Sequence, residues 1–332
     1  MTGTAATALS LLAAAVWFYL LAFHGRFWRA DQRLDHPDRA ADAAPARWPS
    51  VVAVVPARNE AEALDRSLAS LLAQKYPGSF SVILVDDHSE DDTAEVARLV
   101  TRRAGASDRL MVVRADSLPR HWTGKLWAME NGVRRAAQAA PGAEYLLFTD
   151  ADIEHDPGVL EALVRKAESG GLDLVSLMAL LRCRGPWEWL LLPAFVLFFQ
   201  KLYPFPWVND PKRRTAGAAG GCMLVRRGAL ERAGGLAAIR GEIIDDCALA
   251  RMIKRQGPIW LGLTRSVRSV RPYGGLSGVW RMVARTAYAQ LGYAPLPLLG
   301  AVLGMSLVYL VPPPALVLYP LHGAPAAALF GL

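Results

Sequence analysis

The chain opens on an uncharged run from Ala5 to Phe23, rich in alanine, leucine and aromatics. As a helix it is long enough to cross a bilayer. It lacks the basic n-region of a signal peptide, and no small-residue cleavage site follows before the aromatic HGRFW stretch. Residues 1–24 therefore read as an uncleaved anchor. Arg26, Arg29 and Arg33 follow, and nothing basic precedes, which predicts an outer N-terminus and a cytoplasmic domain after it. Residues 25–48 read as a linker, with Pro37 and Pro45 among Ala and Asp.

From residue 49 the apolar pattern alternates between strand runs and helical periodicity. Val51–Val55 is a buried-strand run ending at Pro56, and Ala61–Leu72 has helical spacing. Ser81–Val85, Leu110–Val113, Tyr145–Phe148 and Asp173–Leu181 read as further strands. Thr93–Arg103, Lys125–Ala139 and Pro157–Ala167 read as the helices between them, the last with proline in its first turn. Strand–helix alternation with short loops predicts an α/β fold with a mostly parallel, Rossmann-like sheet.

The stretch 186–207 breaks that rhythm with Trp187, Trp189, Phe195, Phe198, Phe199, Tyr203, Phe205 and Trp207, interrupted by Pro193, Pro204 and Pro206. Its apolar core, Trp189–Phe199, is too short to span a bilayer. A buried core helix is one reading. The nearby Lys201, Lys212, Arg213 and Arg214 favour a segment lying in the membrane interface. Beyond a Gly-rich run, Ala216–Val225, helical spacing covers Glu242–Gln256 and a strand pattern covers Ile259–Val270. Leu276–Gln290 is an amphipathic, interfacial-type helix. No Asp, Glu, Lys or Arg occurs from Ala287 to Leu332, so residues 291–332 read as a transmembrane hairpin, its first span to about Val311 and its break at Pro312–Pro314.

Composition agrees with membrane attachment. The 332 residues are 53% hydrophobic and 20% charged, with mean hydropathy +0.20. A net charge of +7 suits nucleic acid, an anionic membrane face or a phosphate-rich substrate. With an anchor upstream, nucleic acid is excluded as a partner. Cys183, Cys222 and Cys247 lie far apart, in neither a zinc nor a disulfide spacing.

Polar groups gather at successive strand ends, the edge where an open α/β sheet places ligand chemistry. Pro56, Ala57, Arg58, Asn59 and Glu60 end the first strand, although Asn59 or Glu60 could simply cap the next helix. Asp86 and Asp87 end the second, and Asp87 is placed to accept from a base or ribose. Ser89, Asp91 or Asp92 suits the start of the helix that follows. Gly124 and Lys125 open a helix, where Lys125 could reach a phosphate or remain a solvated surface lysine. Asp150 and Asp152 flank one small residue after the fourth strand, and carboxylate oxygens suit a hard divalent cation. Asp245 and Asp246 begin a helix, where one could act as general base.

The motifs PARNE, VDDHSEDDT, WTGK, FTDAD, AGGCMLVRR and IIDDCALA, in this order, resemble the inverting family 2 glycosyltransferases of GT-A fold. The likeness covers about Pro49 to Pro272, within a catalytic domain of residues 49–275. The anchor, WTGKLWA, the aromatic insert and the apolar C-terminus most resemble the membrane-bound hopene-associated enzymes. The resemblance implies that Pro56, Ala57, Arg58, Glu60, Asp86, Asp87, Lys125 and Asp150 bind a nucleotide-sugar donor, a UDP-sugar above all. It implies Mg²⁺ or Mn²⁺ on Asp150 and Asp152, Asp152 being the direct ligand. Asp246 would be the catalytic base beside Asp245, which stands where relatives carry Glu. Gly220, Gly221, Trp189 and Trp207 would border the acceptor. Of the membrane relatives' Q/R-x-x-R-W only the arginine survives, as Arg285, with Met282 and Thr286 at the flanking positions; it would touch the diphosphate.

The implied activity is transfer of a sugar to a lipid hydroxyl, hopanoid or similar, by a multi-pass protein of a bacterial-type inner membrane whose catalytic domain is cytoplasmic. A polyprenyl-phosphate acceptor, a non-catalytic membrane scaffold and a nucleotidyltransferase are the rival readings.

Overall fold

The computed structural model describes residues 3–35, 44–317 and 325–329. Pro37 and the ends of the last apolar run lie outside the described residues. The chain divides into two units: Ala30–Val279, and the two termini Met1–Arg29 with Trp280–Leu332.

The larger unit is built on eight strands: β1 (Val51–Ala57), β2 (Phe80–Asp86), β3 (Leu110–Arg114), β4 (Tyr145–Thr149), β5 (Ile153–His155), β6 (Leu174–Leu180), β7 (Cys222–Arg226) and β8 (Ile259–Ser269). Their order across the sheet is β3-β2-β1-β4-β7-β6-β8-β5. β1 pairs in parallel with β2 and β4, β2 with β3, and β6 with β8. β7 runs antiparallel to both β4 and β6, and β5 antiparallel to β8. The expected mostly parallel sheet is therefore mixed. The long 181–221 connection, with its aromatic helices and Gly-rich 215–221 loop, returns the chain to the sheet in the opposite direction, so β7 is antiparallel. β1 also continues through Pro56 to Ala57, in register with Val85 and Asp86, after the ladder to β4 has ended at Val54.

The helices of this unit are α2 (Ala61–Leu72), α3 (Thr93–Arg103), α4 (Gly124–Ala139), α5 (Val159–Ser169), α6 (Pro186–Leu202), α7 (Phe205–Asn209), α8 (Arg227–Arg232) and α9 (Asp245–Lys254), following α1 (Gly3–Phe23). They cover both faces of the sheet, which is why its central strands are apolar without alternation. Val52 and Val54 of β1 pack with Leu126 and Met129 of α4 and with Leu249 and Ile253 of α9. Val51, Ala53 and Val55 face the other way, onto Leu64 and Leu68 of α2 and Leu160 and Leu163 of α5. Each such buried side chain contributes about 2 kcal/mol of burial free energy. α6 is continuous through Pro193, at the cost of one backbone hydrogen bond, so the aromatic insert forms one long helix and the short α7.

The smaller unit contains α1, the helix α11 (Pro295–Met305), which runs through a π turn at Ser306–Leu310, α12 (Pro312–Val317) and α13 (Pro325–Leu329). α10 (Leu276–Gln290) joins the two units along the chain. Among the described residues, two helices are long and apolar enough to cross a membrane, Thr4–Phe23 and Pro295–Val317. At the expected break, Pro312–Pro314, there is only a bend at Val311, and the apolar helix counts as continuous to Val317. These prolines stand in the first turn of α12, where their missing N–H groups are tolerated, and the Ala315 N–H reaches the Val311 carbonyl at 3.1 Å. The Trp17 indole N–H donates to the Val308 carbonyl at 2.9 Å and its ring meets Tyr309 edge-on.

Candidate active site

The site lies at the C-terminal ends of β1, β2 and β4, closed by the start of α9 and the end of β8. Its loops are tied to one another. The Asn59 N–H donates to Ser89 Oγ, the Glu60 N–H to Thr93 Oγ1 and the Ala61 N–H to Asp91 Oδ2, while the Glu90 N–H returns to Asn59 Oδ1. The first turn of α2 is thus capped from the neighbouring loop, mainly by Asp91. Glu60 stands at the N-cap position without capping, which leaves its carboxylate for other work. Asn59 and His88 take positive φ, 55° each, in these two turns.

Asp86 accepts the Ser89 N–H at 3.0 Å, an internal turn contact. The Asp87 N–H donates to the Ala57 carbonyl, placing the Asp87 side chain 3.8 Å from the Arg58 guanidinium and 3.6 Å from His88 Nδ1. Gly124 lies opposite and leaves this carboxylate its room. A Cβ there would come within 2.9 Å of Asp87 Oδ2. Thr123 caps α4 by accepting the Leu126 N–H.

Lys125, two residues further, projects into a group of acids. Its Nζ lies 2.9 Å from Asp150 Oδ1 and 3.3 Å from Asp245 Oδ2. Burial pulls the ammonium pKa down, but Asp150, Asp245 and Asp246 outweigh it and hold Lys125 above the ordinary lysine value. Burial pushes the Asp150 carboxyl up, against the charge and hydrogen bond of Lys125. The Lys125 and Asp150 side chains stay 38% and 34% exposed, so the cluster is open to a ligand. This lysine is not a solvated surface residue.

Asp246 is the next member. Its Oδ2 accepts the Gly220 N–H at 2.9 Å and its Oδ1 the Cys247 N–H at 2.7 Å. Burial, and then the charge of Asp245, push its pKa up to about 6, against Lys125 and the two N–H groups. A carboxylate poised there is suited to proton transfer near neutrality. The Gly220 N–H can reach Asp246 because the loop is anchored beside it, where Thr149 Oγ1 donates to the Gly221 carbonyl at 2.8 Å.

Asp152 faces the other side of the cleft. Its Oδ2 accepts from Arg271 Nε at 2.9 Å and from Ser269 Oγ at 3.1 Å, and Arg271 Nη2 continues to Glu60 Oε1. The sequence reading passed over Arg271. Its contact is made by β5 pairing antiparallel with the end of β8, two strands 119 residues apart in their contact residues.

Asp150 and Asp152 each leave one carboxylate oxygen without a hydrogen bond or ion pair among the described residues. Oxygen donors of this kind fit Mg²⁺ or Mn²⁺ when a diphosphate and water complete the shell. No group of three or more His, Cys, Asp or Glu able to hold a metal alone occurs among the described residues.

Residues 52–234, more than half of the chain, match the profile described as glycosyl transferase family 2. The chain belongs to this family. It is 31% identical over 128 residues to glycosyltransferase AglE of Haloferax volcanii, 38% of each chain. It is 33% identical over 117 residues to the 4,4'-diaponeurosporenoate glycosyltransferase of Staphylococcus haemolyticus, 35% of this chain and 28% of that one. The chain thus spans about a third of the length of the curated relatives it matches. In fold it is similar to a mannosyltransferase from Pyrobaculum calidifontis solved with GDP-Man and Mn²⁺, at TM-score 0.58 and 19% identity, over 98% of this chain and 97% of that one. The family's fold is α/β and GT-A-like.

Ion pairs and hydrogen bonds link Lys125 to Asp150 and Asp245, Asp246 to Gly220, and Asp152 to Glu60 through Arg271, while Asp87 lies against Gly124; Asp245 and Asp246 stand beyond the matched residues 52–234. Pro56 and Ala57 end β1, Ala57 being buried in the core beneath, and Arg58 stands 3.8 Å from Asp87. Trp207 lies on α7, its carbonyl accepting from Lys254 Nζ at 3.1 Å and its ring under Arg213. Trp189 is 67% exposed on α6. Arg285 lies on α10, in the smaller unit.

Proposed function

We propose that this chain is a membrane-bound, inverting glycosyltransferase that moves a sugar from a nucleotide-diphosphate donor to a lipid hydroxyl. The observation that carries the proposal is Asp246, a carboxylate with its pKa pushed up to about 6, standing across Lys125 from the Asp150–Asp152 pair. The nucleotide-sugar bound by the Pyrobaculum neighbour supports a donor of that kind.

In this reading the loops at Pro56–Glu60 and Asp86–Asp87 take the nucleoside, Asp87 accepting from base or ribose. Asp150 and Asp152 would hold Mg²⁺ or Mn²⁺, which when bound would neutralise the diphosphate and improve it as a leaving group. Asp246 takes the proton of the acceptor hydroxyl. The acceptor oxygen forms its bond to the anomeric carbon from the face opposite the nucleotide as the bond to the diphosphate breaks. A nucleoside diphosphate leaves, and one displacement inverts the anomeric centre. Asp245 and Lys125 position this base: Lys125 balances Asp150 and Asp245, and Asp245 raises the proton affinity of Asp246.

The acceptor is read as lipid-like from three features. Trp187, Trp189 and Leu190 of α6 are exposed, Lys201 follows them, and two helices suit a bilayer. The relative named for diaponeurosporenoate supports an acceptor of this class, and a hopanoid is the form the sequence resemblance suggests. Such a protein would sit in an inner membrane with its catalytic unit in the cytoplasm. The test is a donor-hydrolysis screen of the purified protein across nucleotide sugars with Mn²⁺, followed by mass spectrometry of lipids from cells lacking it. Release of a nucleoside diphosphate and loss of a glycolipid are expected. Release of pyrophosphate, or no nucleotide binding at all, overturns the reading.

A further inference from the structure

Arg271 occupies a position the catalytic scheme above does not use. Its guanidinium bridges Asp152, the expected metal ligand, and Glu60, at the rim of the nucleotide loop. The two acids are largely buried, their side chains 10% and 17% exposed, whereas Arg271 is 51% exposed. The arginine can leave by rotating its side chain, and the acids cannot follow it. Its base is fixed, since the Val270 N–H donates to the Asp152 carbonyl at 2.9 Å and the Arg271 N–H reaches Ser269 Oγ at 3.4 Å. A half-exposed cation, held in a planar fork by two shielded carboxylates, stands beside the place where an incoming cation must bind.

Resting on the donor-and-metal reading of this site, we propose that Arg271 is an exchangeable counter-ion. It neutralises Asp152 in the empty enzyme and passes to the diphosphate when donor and metal arrive, so that metal binding depends on the nucleotide. A divalent ion entering alone must displace Arg271 from Asp152 or sit against its charge, at a separation where like charges repel even with solvent screening. A diphosphate brings enough negative charge to take both cations, and a guanidinium fork matches phosphate oxygens as well as it matches carboxylates. No bond is made or broken; one ion pair is exchanged for another. Arg271 is thus a positioning residue in the empty enzyme and a diphosphate contact in the loaded one.

The experiment measures Mn²⁺ binding to the purified full-length protein in detergent, by the paramagnetic signal of free Mn²⁺, with and without UDP or GDP. Wild-type protein is expected to bind Mn²⁺ roughly tenfold tighter with its nucleotide, and by linkage the nucleotide tighter with Mn²⁺ by the same factor. Arg271→Gln is expected to bind Mn²⁺ alone several-fold tighter than wild type, bind the nucleotide with Mn²⁺ more weakly, and lose most of the coupling. Arg271→Lys, which keeps the charge without the fork, is expected to fall between, and Asp152→Asn to abolish the metal response. The opposite signs separate this role from a structural one. If Arg271→Gln weakens both ligands, or leaves both within twofold of wild type, the exchange role is wrong. If wild-type protein with Mn²⁺ binds neither UDP nor GDP, the donor-site reading fails instead.

Discussion

Asp246 stands in the first turn of α9, where the helix dipole favours a carboxylate, and yet its proton affinity is raised. Burial and the adjacent Asp245 win over the dipole, Lys125 and two N–H groups. As the proposed base, Asp246 must be ionised to act, so kcat/KM is predicted to fall as pH drops through about 6. Asp246→Asn should remove that acidic limb and lower kcat about 10²- to 10⁴-fold. Substantial activity in this variant would indicate an acceptor that is already an anion, such as a polyprenyl phosphate. His155 behaves in the opposite sense. It is 3% exposed, and burial lowers its pKa to about 4 against the Ile153 backbone and the charge of Asp156. The unfolded chain therefore binds a proton that the folded chain refuses between pH 6.5 and about 4. Stability is complete above that window and falls by about 3 kcal/mol across it as pH drops. Urea titrations of wild type and His155→Leu at several pH values check this, since the leucine variant should lose that part of the slope.

At the scale of elements, α4 lies against β1 and β2 through Gly132, where an added Cβ would come 2.3 Å from Val54 Cγ1 and 3.2 Å from Val85 Cγ2. Gly132→Ala gains helix propensity but overpacks this contact, and should cost about 1–3 kcal/mol net in a denaturant titration. An unchanged midpoint would show that helix and sheet can separate slightly without penalty. The same contact explains why so much of the fold was legible. Helices such as Ala61–Leu72 and Thr93–Arg103 lie where their periodicity places them, because one face of each is buried. Direction was not legible: Cys222–Arg226 is as apolar as its neighbours, and nothing in an apolar run states which way it points. β5, three residues long, carries no period at all. Because β5 was invisible, so was Arg271, whose role depends on β5 lying beside β8. The strand-end acids were legible because a parallel half-sheet puts every strand's C-terminus on one edge.

The whole molecule separates its chemistry from its apolar mass. Apart from Arg285, every side chain proposed for the donor, the metal and the base lies between Ala30 and Val279, whereas both helices suited to a bilayer belong to the other unit. The larger unit carries two apolar cores, one on each face of its sheet, and these are made from its own residues. It has what a domain needs in order to fold alone. If donor binding is local to it, a fragment of residues 30–279 should bind UDP or GDP with Mn²⁺ within about twofold of the full chain, the tolerance expected of independent parts. Lipid transfer makes a different demand. On the proposed lipid acceptor, the reactive hydroxyl would meet Asp246 while the apolar body stays in the membrane, so a catalytic unit without anchors should meet that acceptor only rarely. The fragment should therefore keep nucleotide binding and donor hydrolysis while losing most transfer to an acceptor embedded in vesicles. Calorimetry for the first and radiolabelled product extraction for the second separate the two functions. A fragment that melts cooperatively but binds no nucleotide would show that the apolar unit shapes the donor site as well.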